Sequence, residues 1–514
     1  MNRYKRAALA LLTAAVFATG PSWGNEQEEV EVIRQTTINL IQALVDKGVL
    51  TQDAANDLIK QAEKSARKKV ADTQAANSKV VRVPYVPESV KREIRDQVKQ
   101  EVVAQAKAER WGDVNAVPEW LDRLKWEGDL RVRYQSDRFA KTNATVAQFT
   151  GAGQTNVTNT TEQRDRERVR ARLGLLAKVT PGVTAGFRLS TGNTSDPVST
   201  NQTLGTYENK YTLVFDRAYL KLDPWEWLTA SAGRIPNPYF STDLVWDDDL
   251  NFEGFAATLQ TPVSSNTPFR PFVTAGVFPL QEIEQTPTVL AKDKWFWGAQ
   301  AGFEWRMNSD TRFKLGAAYY DFKNVEGIPS AGGTTYYEKT EPLFRQKGNS
   351  VFDIDPTASF KYALASKFEL VNLTGSLDLA HFDPVHVILT GDYVKNIGFN
   401  KSEILARTIS ENLEPKTKGW QARVAVGMPS IKLRHDWQAY IGYRRLDRDA
   451  VMDAFTDSDF HLGGTDAKGY FIGGVYGLDK NTWLSMRWLS ADEVHPTSLP
   501  LAIDVMQVDL NVKF

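Results

Sequence analysis

The chain has 514 residues, a net charge of −1, no cysteine and a mean hydropathy of −0.39. The lack of cysteine excludes a disulfide framework, and the charge gives no indication of a nucleic-acid partner. After Asn25 no stretch approaches the ~18 apolar residues that a membrane helix needs, but this does not exclude a membrane β-barrel.

The first residues have the layout of a secretory signal peptide. Arg3, Lys5 and Arg6 form a basic start, residues 7–18 are almost entirely apolar, and Ser22-Trp23-Gly24 places small residues at the −3 and −1 positions of a cleavage site. The alternative is an N-terminal membrane anchor. An apolar run of about a dozen residues is short for that role, so the sequence predicts cleavage before Asn25.

Residues 25 to about 120 have helical spacing. The clearest run is Val90, Ile94, Val98 and Val102, which recur every four residues after a capping Ser89. These helices are polar around most of their circumference, so we expect them to associate with each other as a coiled coil, with neighbouring subunits, or with a surface such as the cell wall.

From Leu124 onward the period changes to two. In Leu130-Arg131-Val132-Arg133-Tyr134 the apolar residues hold one parity and the arginines the other, and the same alternation occurs over 168–173, 217–222 and 506–514. A helix would scatter these charges around its circumference, whereas a strand places them all on one face.

About sixteen segments of this kind follow one another, within a range of 14 to 18. We place them near 124–136, 164–179, 183–192, 211–222, 227–235, 252–261, 270–279, 295–306, 311–322, 366–380, 385–396, 417–428, 434–447, 467–477, 482–490 and 502–514. The connections alternate between short turns, such as 180–182, and long loops, such as 323–365. That alternation is typical of a transmembrane barrel with tight periplasmic turns and long outer loops.

The sequence therefore predicts an all-β membrane protein, a 16-stranded antiparallel transmembrane β-barrel with an N-terminal periplasmic helical extension. The predicted organisation is a signal peptide over 1–24, the helical extension over 25–120 and the barrel over 121–514. Outer-membrane lipid is then the surrounding medium, and no cofactor is expected because metal-ligand spacings and nucleotide fingerprints are missing.

Two resemblances to known families support this reading. The terminal Phe514, preceded by apolar residues at every second position, resembles the signal that the barrel-assembly machinery recognises. Residues 44–51, 83–88, 120–129 and 244–254 together resemble the "putative porin" family of Gram-negative bacteria. That resemblance implies an outer-membrane barrel with a periplasmic N-terminal extension, and it implies no defined substrate.

Sixteen tilted strands close a cylinder that is too wide for side chains to fill, so the resulting channel needs something to narrow it. In the general trimeric porins, which the strand count resembles, the third outer loop folds into the lumen and carries carboxylates opposite basic residues. The third long loop here runs from Pro236 to Asn251. Its candidate constriction residues are Asp243, Asp247, Asp248 and Asp249. By strand parity the lumen-facing basic residues are Arg131, Arg133, Arg168, Arg170, Arg172, Arg217 and Arg234.

Several alternatives stay open at this point. The acidic loop could be a solvated surface loop or a divalent-cation site, and the arginines could simply pair with carboxylates on neighbouring strands. The leading function is passive diffusion of small solutes and ions, with a homotrimer implied by the resemblance. A solute-specific channel, or a tether that contacts peptidoglycan through the helical segment, are the runners-up. An enzyme is disfavoured because only five histidines exist and none has an evident serine partner, and energised uptake would need about 22 strands and a globular plug.

Overall fold

The computed structural model describes Val98 and residues 121–514, apart from gaps at 264–266, 333, 356–359, 409–412 and 496–497. The predicted signal peptide and nearly all of the predicted helical extension lie outside the described residues. The described barrel belongs to the unit Pro118–Phe514. Among the described residues, no helix combines the length and the apolar character needed to cross a bilayer.

Sixteen long antiparallel strands form one closed sheet, which confirms the predicted number. They are β1 Leu124–Phe139, β2 Arg164–Thr180, β3 Val183–Thr191, β4 Leu213–Trp225, β5 Leu228–Pro236, β6 Asn251–Gln260, β7 Phe269–Gln281, β8 Lys294–Arg306, β9 Thr311–Lys323, β10 Phe368–Phe382, β11 Val385–Asn396, β12 Lys418–Gly427, β13 Trp437–Leu446, β14 Ala467–Asp479, β15 Thr482–Glu493 and β16 Ile503–Lys513. The sheet closes because β1 pairs with β2 on one side and with β16 on the other, from Asp129↔Lys513 to Phe139↔Ile503.

Along the described barrel the connections alternate between long loops at one end and mostly short turns at the other, where 261–268 and 428–436 are the longest, at eight and nine residues. The long loops at one end are 140–163, 192–212, 237–250, 282–293, 324–367, 397–417, 447–466 and 494–502. They contain the helices Val146–Gly151 and Lys401–Thr408, the 3-10 turns Glu338–Thr340 and Phe460–Leu462, and the short strands Gln202–Thr203, Val351–Asp353 and Tyr362–Leu364. We call this end the long-loop end and the opposite one the short-turn end. A further 3-10 turn, Leu121–Arg123, leads into β1 at the short-turn end.

Side chains alternate between the two faces of the wall. On β1 the side chains of Leu130 and Val132 are exposed on the outside, whereas Arg133 and Gln135 are buried on the inside. Successive side chains of a strand point to opposite faces, so an apolar outer face and a polar inner face follow directly from the two-residue period. The predicted parity of the β1 arginines agrees with this placement.

The ends of the chain meet at the short-turn end. The backbone N–H of Gly128 donates to the carbonyl oxygen of Phe514 over 2.8 Å, and the N–H of Phe514 donates to the carbonyl of Gly128 over 3.0 Å. A side chain at position 128 would fall 2.5 Å from the Phe514 ring. A larger residue at position 128 would therefore have to displace the ring of Phe514, which packs here against the first strand.

Candidate functional site

Loop 237–250 lies inside the barrel, held by apolar packing against the inner wall. Leu244 and Trp246 are almost completely buried, at 0% and 2% exposure. The Trp246 ring centroid lies 5.0 Å from that of Phe252 and 5.1 Å from those of Phe296 and Tyr320. Aromatic contacts of this kind add to the free energy gained from apolar burial, so removing the loop from the lumen would expose a large apolar surface on both sides.

Two polar groups of the wall fix the backbone of this loop. The Gln300 amide on β8 accepts from the N–H of Phe240 over 2.8 Å and donates to the carbonyl of the same residue over 2.7 Å. The Asp392 carboxylate on β11 accepts from the hydroxyl of Thr242 over 2.6 Å. Because buried polar groups must find partners, these contacts define where the loop crosses the lumen.

A second loop, 447–466, joins the first inside the barrel. The N–H of Asp247 donates to the carbonyl of Phe455 over 2.8 Å, and the N–H of Ser458 donates to Asp247 Oδ2 over 2.8 Å. The hydroxyl of Thr456 donates to the carbonyl of Leu244 over 2.9 Å. The two loops are thus hydrogen-bonded along their length and narrow the lumen together.

Two of the predicted carboxylates form ion pairs with the wall. Asp249 Oδ1 lies 3.0 Å from Arg172 Nη1 and 3.5 Å from Arg170 Nη1. Asp243 Oδ2 lies 2.8 Å from Arg444 Nη2. In both cases the arginines lower the pKa of the carboxyl group, although burial by itself would raise it.

The other two carboxylates have no arginine this close. Asp247 is buried, and burial together with Asp457 and Asp249 raises its pKa well above the ordinary value. Asp248 is exposed to the lumen and hydrogen-bonds to nothing within the described part of the chain. Burial by the surrounding protein and the nearby carboxylates Asp243 and Asp457 raise the pKa of Asp248 to about 6.

The arginines of β1 and β2 stand directly opposite one another. The register places Arg131 against Arg170 and Arg133 against Arg168. Like charges in this position repel, and carboxylates offset the repulsion. Arg133 Nε lies 2.7 Å from Asp509 Oδ1, and Arg133 Nη1 lies 3.1 Å from Asp459 Oδ2.

The two remaining predicted arginines lie elsewhere. Arg217 Nε donates to Asn251 Oδ1 over 2.7 Å. Arg234 stands opposite Glu253 in register and forms an ion pair with it at 2.5 Å. Glu253 is more than half exposed and shares its face with the outward-pointing Phe255, so the structure does not bring Arg234 to the carboxylates of loop 237–250.

The two loops and the facing wall enclose a cavity of about 290 Å³. Four arginines and seven aspartates line it: Arg131, Arg133, Arg170, Arg487, Asp243, Asp247, Asp248, Asp249, Asp457, Asp459 and Asp509. The structure therefore brings all four predicted carboxylates together with three of the predicted arginines in this lining, and Arg172 joins them through its ion pair with Asp249. Among these lining residues alone, carboxylates outnumber guanidinium groups by seven to four.

Sequence reasoning missed several of these residues. Arg444 and Arg487 occupy inward positions of β13 and β15, and the strand parity already used for Arg131 could have found them. Asp457 and Asp459 gave no local signal, because they lie in a long loop about two hundred residues after Asp243. Within the described ranges no group of three or more His, Cys, Asp or Glu is placed to hold a metal ion, so the divalent-cation alternative gains no support.

A family model described as "Putative porin" matches residues 34–514. Pseudomonas putida OprB at high pH has 10% identity and a TM-score of 0.45, covering 77% of this chain and 96% of that one. The Salmonella typhi OmpF complex with daunomycin has 10% identity and a TM-score of 0.40, with 76% and 97% covered. The anion-selective porin from Comamonas acidovorans has 11% identity and a TM-score of 0.40, with 76% and 99% covered. No curated protein matches the chain.

Proposed function

The chain belongs to the "putative porin" family of outer-membrane channels, and from this premise we propose that loops 237–250 and 447–466 form the selective narrow part of its water-filled pore. The observation that carries the proposal is the acidic group of these loops facing the arginines of β1 and β2 across a cavity of about 290 Å³. Such an arrangement sets up a transverse field across the passage. A field of that kind orients dipolar solutes and lets ions of opposite sign pass at different rates.

A planar lipid bilayer tests the proposal. Purified protein should produce stepwise increases in current in KCl, and the reversal potential under a salt gradient should show a preference for cations. Glucose should permeate protein-containing liposomes as a small neutral solute. A folded barrel that inserts into the bilayer without carrying current would contradict the pore, and a preference for anions would contradict the proposed narrow part.

The orientation in the membrane is a further part of the proposal. Both the first and the last strand reach the short-turn end, and tight turns are typical of the periplasmic side. Residues 25–120 then lie in the periplasm, where a contact with peptidoglycan is feasible. Phe514, hydrogen-bonded to Gly128 at this same end, is the proposed signal for the barrel-assembly machinery.

The tethering role predicts a separable phenotype. Deletion of residues 25–115 should weaken the envelope, measured as leakage of periplasmic protein, while the single-channel conductance of the purified barrel stays unchanged. The reason is that all the described residues lining the narrow part come after Leu124. An intact envelope in the deletion strain would contradict the tethering role and leave the pore as the sole proposed role of the protein.

Trimerisation is supported by a polar region on the outer wall. Near the long-loop ends of β1 and β2, Arg138 Nη2 lies 2.8 Å from Asp165 Oδ1, and the Tyr134 hydroxyl donates to the same carboxylate over 3.1 Å. Charges facing lipid are costly, most of all toward the bilayer midplane. A second copy of the chain would cover this region, together with the outer ion pair of Arg234 and Glu253.

Charge reversal at this region should disrupt the oligomer. We expect Asp165→Arg to lower the trimer fraction in detergent, measured by analytical ultracentrifugation, because the new arginine faces Arg138 where the carboxylate stood. Lys395→Glu is the matched control, since Lys395 is also exposed near the long-loop end but lies on β11. Equal oligomer fractions in both variants would place the subunit contact on another part of the wall.

A further inference from the structure

Four cations form a row on the outer wall near the long-loop end, which we call the basic row. They are Lys395 on β11, Lys418 on β12, Arg445 on β13 and Lys468 on β14. Each lies an even number of residues from a side chain of its own strand that is exposed on the outer face, as Lys395 does from Tyr393. The basic row therefore crosses four neighbouring strands on the outside of the barrel, away from the proposed path of permeating solutes.

The register sets these cations directly against one another. Lys395 stands opposite Lys418, and Arg445 stands opposite Lys468. Side chains in such cross-strand pairs have Cβ atoms about 4.5–5.5 Å apart, and like charges in this position repel each other. The fold therefore keeps two unfavourable pairs next to each other on one surface.

Carboxylates of the protein offset this repulsion only in part. Arg445 Nη2 lies 3.4 Å from Asp447 Oδ1. Asp492 faces Lys468 from β15, and Glu369 borders the basic row on β10. None of the described carboxylates forms an ion pair with a lysine of the row, so three of its four cations lack a neutralising contact.

Other outward cations near the long-loop ends of the strands have a carboxylate in close contact. Lys323 Nζ on β9 lies 2.7 Å from Asp321 Oδ2, and Arg138 on β1 is paired with Asp165. An exposed cation that is paired in this way leaves little field of its own. The basic row is distinguished from these positions by its lysines without ion pairs and by its two facing pairs of like charge.

Aromatic pairs indicate the depth of the basic row in the membrane. Tyr393 stands opposite Trp420 and Tyr443 stands opposite Tyr470, and each aromatic pair lies two residues further from the long-loop end than a basic pair. The Tyr443 ring centroid lies 4.7 Å from that of Tyr470 and 5.3 Å from that of Trp420. Rings with an apolar body and a polar tip favour the membrane interface. The cations stand about 6.8 Å further along the strands, at the level of the lipid headgroups.

We propose that the basic row binds the phosphorylated headgroup of a lipid in the leaflet at the long-loop end. Ammonium and guanidinium groups donate charge-assisted hydrogen bonds to phosphate oxygens, and an anion placed between the facing cations offsets their repulsion. The aromatic pairs beside the row offer apolar contacts to the acyl chains of the same lipid. That this leaflet is the outer one rests on the proposed orientation, whereas the pore itself does not depend on the row.

Binding of lipid A, a glycolipid with two phosphates, tests the proposal. Native mass spectrometry of the detergent-solubilised full chain should show saturable binding of lipid A and much weaker binding of dephosphorylated lipid A. Lys395→Gln combined with Lys418→Gln should raise the half-saturating lipid A concentration about tenfold, as expected when two lysines are lost near an anionic lipid surface. Lys395→Arg combined with Lys418→Arg keeps both charges and should bind lipid A like the wild type.

Lys323→Gln is the matched control, because Lys323 is exposed on the same outer face and is already paired with Asp321. It should bind lipid A like the wild type, and all variants should keep the wild-type conductance, which reports a folded barrel. Equal binding by the double glutamine variant and the wild type, or equal binding of dephosphorylated lipid A, would overturn the proposal.

Two other occupants of the basic row have their own signatures. Competition by inorganic phosphate at the same concentration as lipid A would assign the row to a free anion and overturn the lipid site. A lower oligomer fraction in the double glutamine variant, with lipid A binding unchanged, would assign the row to a contact with a second copy of the chain. Normal binding of lipid A by a protein without conductance would support the lipid site and contradict the pore.

Discussion

Replacing Trp246 with alanine should raise the single-channel conductance and lower the thermal stability of the barrel. Trp246 is 2% exposed and contacts three aromatic rings of the inner wall. Removing a buried aromatic side chain costs about 3–5 kcal/mol, and here the loss falls on the contact that keeps loop 237–250 inside the lumen. A loop that leaves the lumen widens the passage, so we expect larger and noisier current steps in the planar bilayer.

The control is a tryptophan on the same part of the wall with the opposite orientation. Trp297 follows Phe296 on β8 and is 52% exposed on the outer face. Trp297→Ala should leave the conductance unchanged, because that side chain does not contact the loop. If Trp246→Ala lowers the temperature of the heat-dependent gel shift without altering conductance, loop 237–250 does not form the narrowest part of the pore.

The second large effect concerns pH. Asp248 is the predicted carboxylate with a pKa of about 6 and no arginine in contact. With that pKa about nine in ten Asp248 side chains are protonated at pH 5, and about one in a hundred at pH 8. The narrow part therefore loses a negative charge as the pH falls, and the cation preference should decrease between pH 8 and pH 5.

Two variants separate Asp248 from its neighbours in this titration. Asp248→Asn should remove most of the pH-dependent change in reversal potential, and at pH 8 it should behave like wild type at pH 5. Asp249→Asn should shift the reversal potential toward anions at every pH and keep the pH-dependent step, because Arg170 and Arg172 hold the pKa of Asp249 below its ordinary value. An unchanged titration in Asp248→Asn would assign the step to Asp247 or Asp457, whose pKa values are also raised.

These predictions depend on features that reasoning from the sequence could locate only in part. Strand parity placed Arg131, Arg133 and Arg170 on the lumen side, because the alternation of β1 and β2 is a local property of each strand. Arg234, which the same reasoning placed on the lumen side, is not among the residues that line the cavity of about 290 Å³. The strand that carries Arg234, β5, is built from small residues without clear alternation. The face on which the Arg234 side chain lies became clear only from the register, which pairs Arg234 with Glu253 and Ile235 with Phe252.

The sequence by itself determined the number of strands, their approximate bounds and the alternation of long loops with short turns. It could do so because the two-residue period of a strand and the residue types of a turn are both local properties of a few neighbouring positions. The tertiary structure alone decided that loop 447–466 enters the lumen beside loop 237–250 and brings Asp457 and Asp459 to Asp243. That meeting depends on apolar burial around Leu244 and Trp246 and on hydrogen bonds such as that from Thr456 to Leu244. Contacts between segments so distant in the chain leave no periodic trace in either segment.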